Sequence, residues 1–135
     1  PLVVLGAEEA AHRAIVQVPG RGMVISLAHY RNLCSAEPVF REQMVAFARA
    51  FAAQALQSVA CNGVHSVEER CARWLLMTHD RVGRDTFALT QEFLAEMLGV
   101  SRAAVNLVAR TYQQAGIIRY TRGDLTILDR LALED

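Results

Sequence analysis

The chain has 135 residues, and its 14 basic residues, all arginine, are balanced by 14 acidic ones for a formal net charge of zero. That neutrality excludes a protein that grips nucleic acid through overall charge, so any such role must rest on local placement. No apolar run reaches the length of a membrane span, and the start Pro1-Leu2-Val3-Val4-Leu5-Gly6 lacks the charged region and long hydrophobic stretch of a targeting peptide, so the cytoplasm is the expected compartment.

The first residues read as the middle of a strand with no initiating Met, and a fragment of something longer is the expectation. Residues 14–18 and 23–26 are β-forming runs flanking Pro19-Gly20-Arg21-Gly22, which predicts a hairpin or two successive strands. Such strands cannot bury a core alone; they are expected to belong to a larger β domain or to pack on a partner subunit. Residues 27–34 fit a short helix, and Pro38 suits the first turn of a long one running to about residue 60. In that helix Phe40, Met44, Phe47, Phe51, Ala55 and Val59 recur at spacings of four, three and four, nearly a heptad seam. The pattern fits a buried helix of a monomer or a dimer contact; so little other chain is available to cover three phenylalanines that the dimer is expected. Asn62-Gly63 is the predicted helix break.

Ser66 and Glu69 form a capping box for the next helix, which runs to about Val82 with Val67, Cys71, Trp74, Leu75 and Thr78 on one face. Residues 81–86 read as a linker loop. Thr90 then caps a helix bearing Phe93, Leu94, Met97 and Leu98, with Leu89 placed to staple on Leu94. After Gly99-Val100-Ser101 the device recurs: Ser101 is the cap, Val100 can pack on Val105, and Val105, Val108, Tyr112 and Ala115 make the apolar stripe before Gly116 ends the helix. Residues 117–121 and 125–128 are strand-forming and flank Arg122-Gly123-Asp124. Helix, turn and helix alone fit a small packing unit equally well, but the hairpin completes a winged helix-turn-helix, a shape that sets one helix into the DNA major groove.

The chemistry-bearing residues are sparse. Cys34, Cys61 and Cys71 have no disulfide or zinc spacing; Cys61 reads as a redox handle or as a buried inert thiol. His65, His79 and Asp80 alone hint at catalysis, without a nucleophile, paired carboxylates or a phosphate loop, so no enzyme, cofactor or metal is expected. Residues 84–135 carry six arginines against seven acidic residues. Arg102 opens the second helix, Asn106 and Arg110 follow on its outward face, and Arg119 and Arg122 sit in the wing.

The chain resembles the C-terminal half of the Crp/Fnr family of bacterial transcription regulators. The resemblance rests on His65-Ser66-Val67-Glu68-Glu69-Arg70 with Ala72-Arg73-Trp74-Leu75-Leu76, on Leu89-Thr90-Gln91-Glu92 with Leu98-Gly99-Val100-Ser101-Arg102, and on Gly116-Ile117-Ile118. It implies a mainly α fold with small β elements: residual strands of an effector-binding barrel in 1–36, a dimerisation helix in 37–62 and a winged helix-turn-helix in 63–135. It implies a homodimer joined by the Phe40-to-Val59 seam, with double-stranded DNA and RNA polymerase as partners, no membrane, and an effector site in a preceding N-terminal region. The DNA-contacting positions it implies are Ser101, Arg102, Ala103 and Leu107; Thr90 at a helix start, Asn106 and Arg110 on the outward face, and Thr121 and Arg122 near the wing tip are expected from their places in the helix-turn-helix and wing. Family members have Ser-Arg-Glu and a later Arg where this helix has Ser101, Arg102, Ala103 and Leu107, and cyclic-AMP binders have hydroxyls where the long helix has Ala55 and Leu56; the resemblance therefore carries the fold further than the family's operator preference, and does not carry cyclic AMP as the effector. The alternatives are an interaction module of the same fold without specific DNA reading and, with less support, an RNA-binding winged helix.

Overall fold

The computed structural model describes residues 6–7, 9 and 14–134. The chain forms two compact units, Pro1–Ala60 and Cys61–Asp135.

In the first unit, α1 (Leu27–Ala36) starts at Ser26, whose hydroxyl accepts from the His29 backbone N–H at 3.2 Å. One residue later Pro38 opens α2 (Pro38–Val64), its missing N–H costing nothing at a helix start. Tyr30 of α1 meets Phe40 of α2 edge-on, with ring centroids 5.8 Å apart. The strands expected at 14–18 and 23–26 do not form: the segment is extended or bent without a ladder, and Met23 is 99% exposed. Alternating side chains alone do not hold a strand, which needs cross-strand hydrogen bonds, and no described segment pairs with this one. The strand expected at the chain start falls at residues 1–5, outside the described residues.

Along α2, Phe40 and Met44 are half-buried, whereas Phe47 (56% exposed), Phe51, Ala55 and Val59 face outward. Phe47 and Phe51 lie against each other at 6.4 Å. Taken whole, α2 is long and apolar enough to cross a membrane by length and composition, which corrects the reading from uninterrupted runs. Arg41, Glu42 and Arg49 near its start and Gln54, Gln57, Ser58 and Asn62 later punctuate it. The helix also passes through Asn62-Gly63, the predicted break, to Val64. Cys61 is buried and the Asn62 side-chain oxygen accepts from Arg70 Nη1 at 3.2 Å, so tertiary contacts outweigh the ~1 kcal/mol helix penalty of one glycine.

In the second unit α3 (Val67–Val82) is launched by the expected capping box: Ser66 Oγ accepts from the Glu69 N–H at 3.2 Å, and Glu69 Oε2 accepts from the Ser66 N–H at 2.7 Å. The Ser66 backbone N–H, then its side chain and His65, hold the Glu69 carboxyl below its ordinary pKa. A depressed pKa contributes stability above the ordinary glutamate range and loses it as pH falls through the lowered value. Then follow β1 (Thr86–Ala88), α4 (Gln91–Leu98), α5 (Arg102–Gln114), β2 (Ile118–Thr121), β3 (Asp124–Ile127) and α6 (Leu131–Glu134). Part of the expected linker is thus a strand. β3 lies in the centre of an antiparallel sheet of order β1-β3-β2, with Phe87 and Tyr120 both opposite Leu125.

The sheet alternates so that Phe87, Leu125, Ile127 and Ile118 face inward, onto Leu75 of α3, Leu94 and Leu98 of α4, and Val105, Val108 and Tyr112 of α5. Cys71 belongs to this core; burial, reinforced by the Glu68 charge, pushes its thiol pKa up to about 12, so it is a small apolar residue and not a nucleophile at neutral pH. Tyr112 donates its hydroxyl to the Glu68 carbonyl at 2.9 Å, joining α5 to α3, and burial raises its pKa further out of range.

Candidate nucleic-acid interface

Two capped helices and a tight turn set the geometry. Thr90 Oγ1 accepts from the Phe93 N–H at 3.2 Å and Ser101 Oγ from the Ala104 N–H at 3.2 Å, caps worth about 1 kcal/mol each. Between them Gly99 takes φ 64°, the left-handed conformation that closes α4, and the Val100 N–H reaches back to the Ala95 carbonyl at 3.1 Å. Arg70 of α3 donates from Nη1 to the Leu98 carbonyl at 3.2 Å, placing a cation on the C-terminal end of α4.

α5 is sharply two-faced. Val105, Val108, Ala109 and Tyr112 are buried, and at about 100° per residue the opposite face carries Ala103, Arg110 and Leu107 near its crest, with Asn106 and Arg102 toward one side. Arg102, Ala103, Leu107 and Arg110 are exposed and Asn106 is half-exposed. α5 has two arginines and no acidic residue. Ser101 lies at its start, and Thr90 at the start of α4, both exposed.

The wing is β2, β3 and a two-residue turn. Arg122 and Gly123 have φ of 51° and 93° between paired Thr121 and Asp124, the signature of a type I′ hairpin. Gln113 of α5 accepts from the Tyr120 N–H at 3.1 Å, and Gly123 accepts from the Leu89 N–H at 2.9 Å, so the wing is tied to both helices' flanks. A non-glycine residue in the left-handed region costs roughly 1 kcal/mol. Arg122→Asn, which supplies the residue type such turns favour, should therefore raise the stability of this unit by up to about 1 kcal/mol, seen as a higher thermal midpoint by circular dichroism. An unchanged or lower midpoint would mean Arg122 holds the turn through contacts of its own.

A separate charged network involves Asp80, Asp85 and Glu134. Arg130 pairs with Asp80 and Glu134 at 2.8 Å each and donates from Nη1 to His79 Nδ1 at 2.7 Å; His79 Nε2 in turn reaches Asp85 at 2.8 Å. With Nδ1 accepting from Arg130, Nε2 donates to Asp85, so His79 links β1's approach to the start of α6. The sequence did not single out Arg130, whose partners lie about fifty residues upstream and four residues downstream. His65 contacts Glu69 at 3.4 Å and borders a shallow groove with Asp80, whereas His79 turns to the Arg130 network. Among the described residues no group of three His, Cys, Asp or Glu is placed to hold a metal ion.

Residues 69–135 match the Crp-like helix-turn-helix domain. Three solved structures share the fold: FixK2 from Bradyrhizobium japonicum, at 16% identity over 82% of this chain and 58% of that one, with a TM-score of 0.74; a CooA variant from Carboxydothermus hydrogenoformans, at 20% over 80% and 53%, TM-score 0.68; and a crp/fnr-family protein from Eubacterium rectale, at 22% over 82% and 51%, TM-score 0.64. The chain thus spans a little over half the length of these structures. A search of curated proteins gives no match. The capped α4–α5 pair, the wing and the matched family model agree: residues 69–135 of this chain form a Crp-like helix-turn-helix domain.

Proposed function

We propose that the chain is a sequence-specific regulator of transcription that binds double-stranded DNA as a homodimer, with α5 in the major groove and the wing against the backbone. The observation that carries this reading is the outward face of α5, which presents Arg102, Asn106 and Arg110 from a helix that carries no acidic residue. Arg102 is the first candidate for a base or adjacent phosphate, Asn106 for an adenine edge, and Arg110, Thr121 and Arg122 for phosphates, with Thr90 and Ser101 serving the backbone from the helix starts. The exposed Phe47, Phe51, Ala55 and Val59 of α2 supply the dimer contact, which in water is a better account of a helix interrupted by glutamines than a membrane span. In this reading the protein works in the cytoplasm, an effector acts through the part of the longer relatives that has no counterpart here, and RNA polymerase is the downstream partner.

Selection from a random duplex library followed by sedimentation of the chain alone and with the enriched DNA tests both halves. A partly palindromic motif with half-sites about 34 Å apart and a dimer at tens of micromolar are expected. A monomer at that concentration overturns the α2 contact. No enriched motif favours the interaction module, an account that the Ala103 and Leu107 side chains and the overall neutrality would then fit. Preference for structured RNA in competition would overturn both.

A further inference from the structure

Resting on the reading of α5 as the groove-facing helix, we infer that Ala103 and Leu107 read thymine 5-methyl groups, so that each operator half-site carries an A·T pair under the crest of α5. The two residues are one turn apart on the exposed side of the helix, and Leu107 is 69% exposed although the same helix buries Val105, Val108 and Tyr112. One exposed leucine is ordinary on a protein surface. Here it shares the crest of α5 with Ala103, while Arg102 and Asn106 lie to one side and Arg110 follows one turn further along, so Ala103 and Leu107 make a short apolar track with an arginine toward either end.

Only one group on the major-groove edges of the four bases rewards an aliphatic side chain, the 5-methyl of thymine. A cytosine amino group or a guanine O6 beneath Leu107 would lose water and receive no hydrogen bond, so a G·C pair there is penalised as well as unrewarded. The short Ala103 side chain lets the helix approach the bases closely, and its own methyl extends the apolar track toward the start of α5. Asn106, half-exposed at the side of the crest and next to Leu107 in the chain, has an amide that can take both the N6 and N7 positions of adenine. Apolar track and amide together select for A·T composition, with guanine contact left to the arginines at either end.

The test uses the full chain and the duplex enriched by selection, with each thymine replaced in turn by deoxyuridine, a change that removes the methyl and nothing else. At one or two thymines per half-site, affinity should fall about fourfold, the worth of one buried methyl-sized group. For Leu107→Ala, which removes an exposed side chain and keeps helix propensity, that ratio should fall toward one at the thymine beneath Leu107 and stay unchanged at any thymine beneath Ala103, while the parent duplex is still bound above scrambled DNA. Deoxyuridine tolerated at every position by a protein that still prefers its motif overturns the methyl reading and leaves the proposed function standing. A thymine effect that persists unchanged at every sensitive position in Leu107→Ala also overturns it. Failure to enrich any duplex removes the proposed function itself, and this inference with it.

Discussion

Leu125→Ala should destabilise the C-terminal unit by about 2–5 kcal/mol, the largest effect expected from any single truncation discussed for this chain. Leu125 is fully buried at the middle of the central strand, opposite Phe87 on one side and Tyr120 on the other, and it faces the cluster formed by α3, α4 and α5. Truncation leaves a cavity that neither neighbouring strand can close without giving up its own hydrogen-bonded register. Urea unfolding followed through Trp74, the single tryptophan, reports on this unit, because the indole packs edge-on to Phe93 with centroids 6.3 Å apart. Leu128→Ala, three residues on and half-exposed, should change stability by no more than about 0.5 kcal/mol. Equal effects at the two sites would show that the sheet is not where the core is centred.

Arg102→Ala should weaken binding to the selected duplex by about 1–3 kcal/mol if its guanidinium reads a base, with specificity relaxed at one base pair. A phosphate contact would instead weaken all duplexes alike and reduce the salt slope by about one ion. Affinities for the selected and a scrambled duplex at several salt concentrations separate the two roles. Arg102 is exposed and follows the Ser101 cap, so folding of the variant should match the parent. Unchanged binding to both duplexes would take Arg102 out of the interface. The wing gives a useful contrast, since Arg122→Asn is expected to gain stability and lose phosphate contact in the same variant.

Much of the C-terminal unit is legible in the sequence because its devices close over three or four residues. Ser66 with Glu69, Thr90 with Phe93 and Ser101 with Ala104 are hydrogen bonds between near neighbours, so the residue types alone determine where α3, α4 and α5 begin. The period of Val105, Val108 and Tyr112 likewise determines which side of α5 is buried, and therefore that Arg102, Ala103, Leu107 and Arg110 face out. Tertiary structure decided the rest. Thr86–Ala88 becomes a strand only because β3, some forty residues later, offers it a ladder, while the β-forming runs before α1 find none and stay unpaired. Asn62-Gly63 stays helical because Arg70 holds Asn62 and Cys61 is buried, and Asp80 and His79 meet Arg130 across some fifty residues through contacts that no local spacing reveals. Local hydrogen bonding and side-chain periodicity are properties of a short window of residues; pairing, burial and the sorting of charge depend on which distant segments the fold brings together.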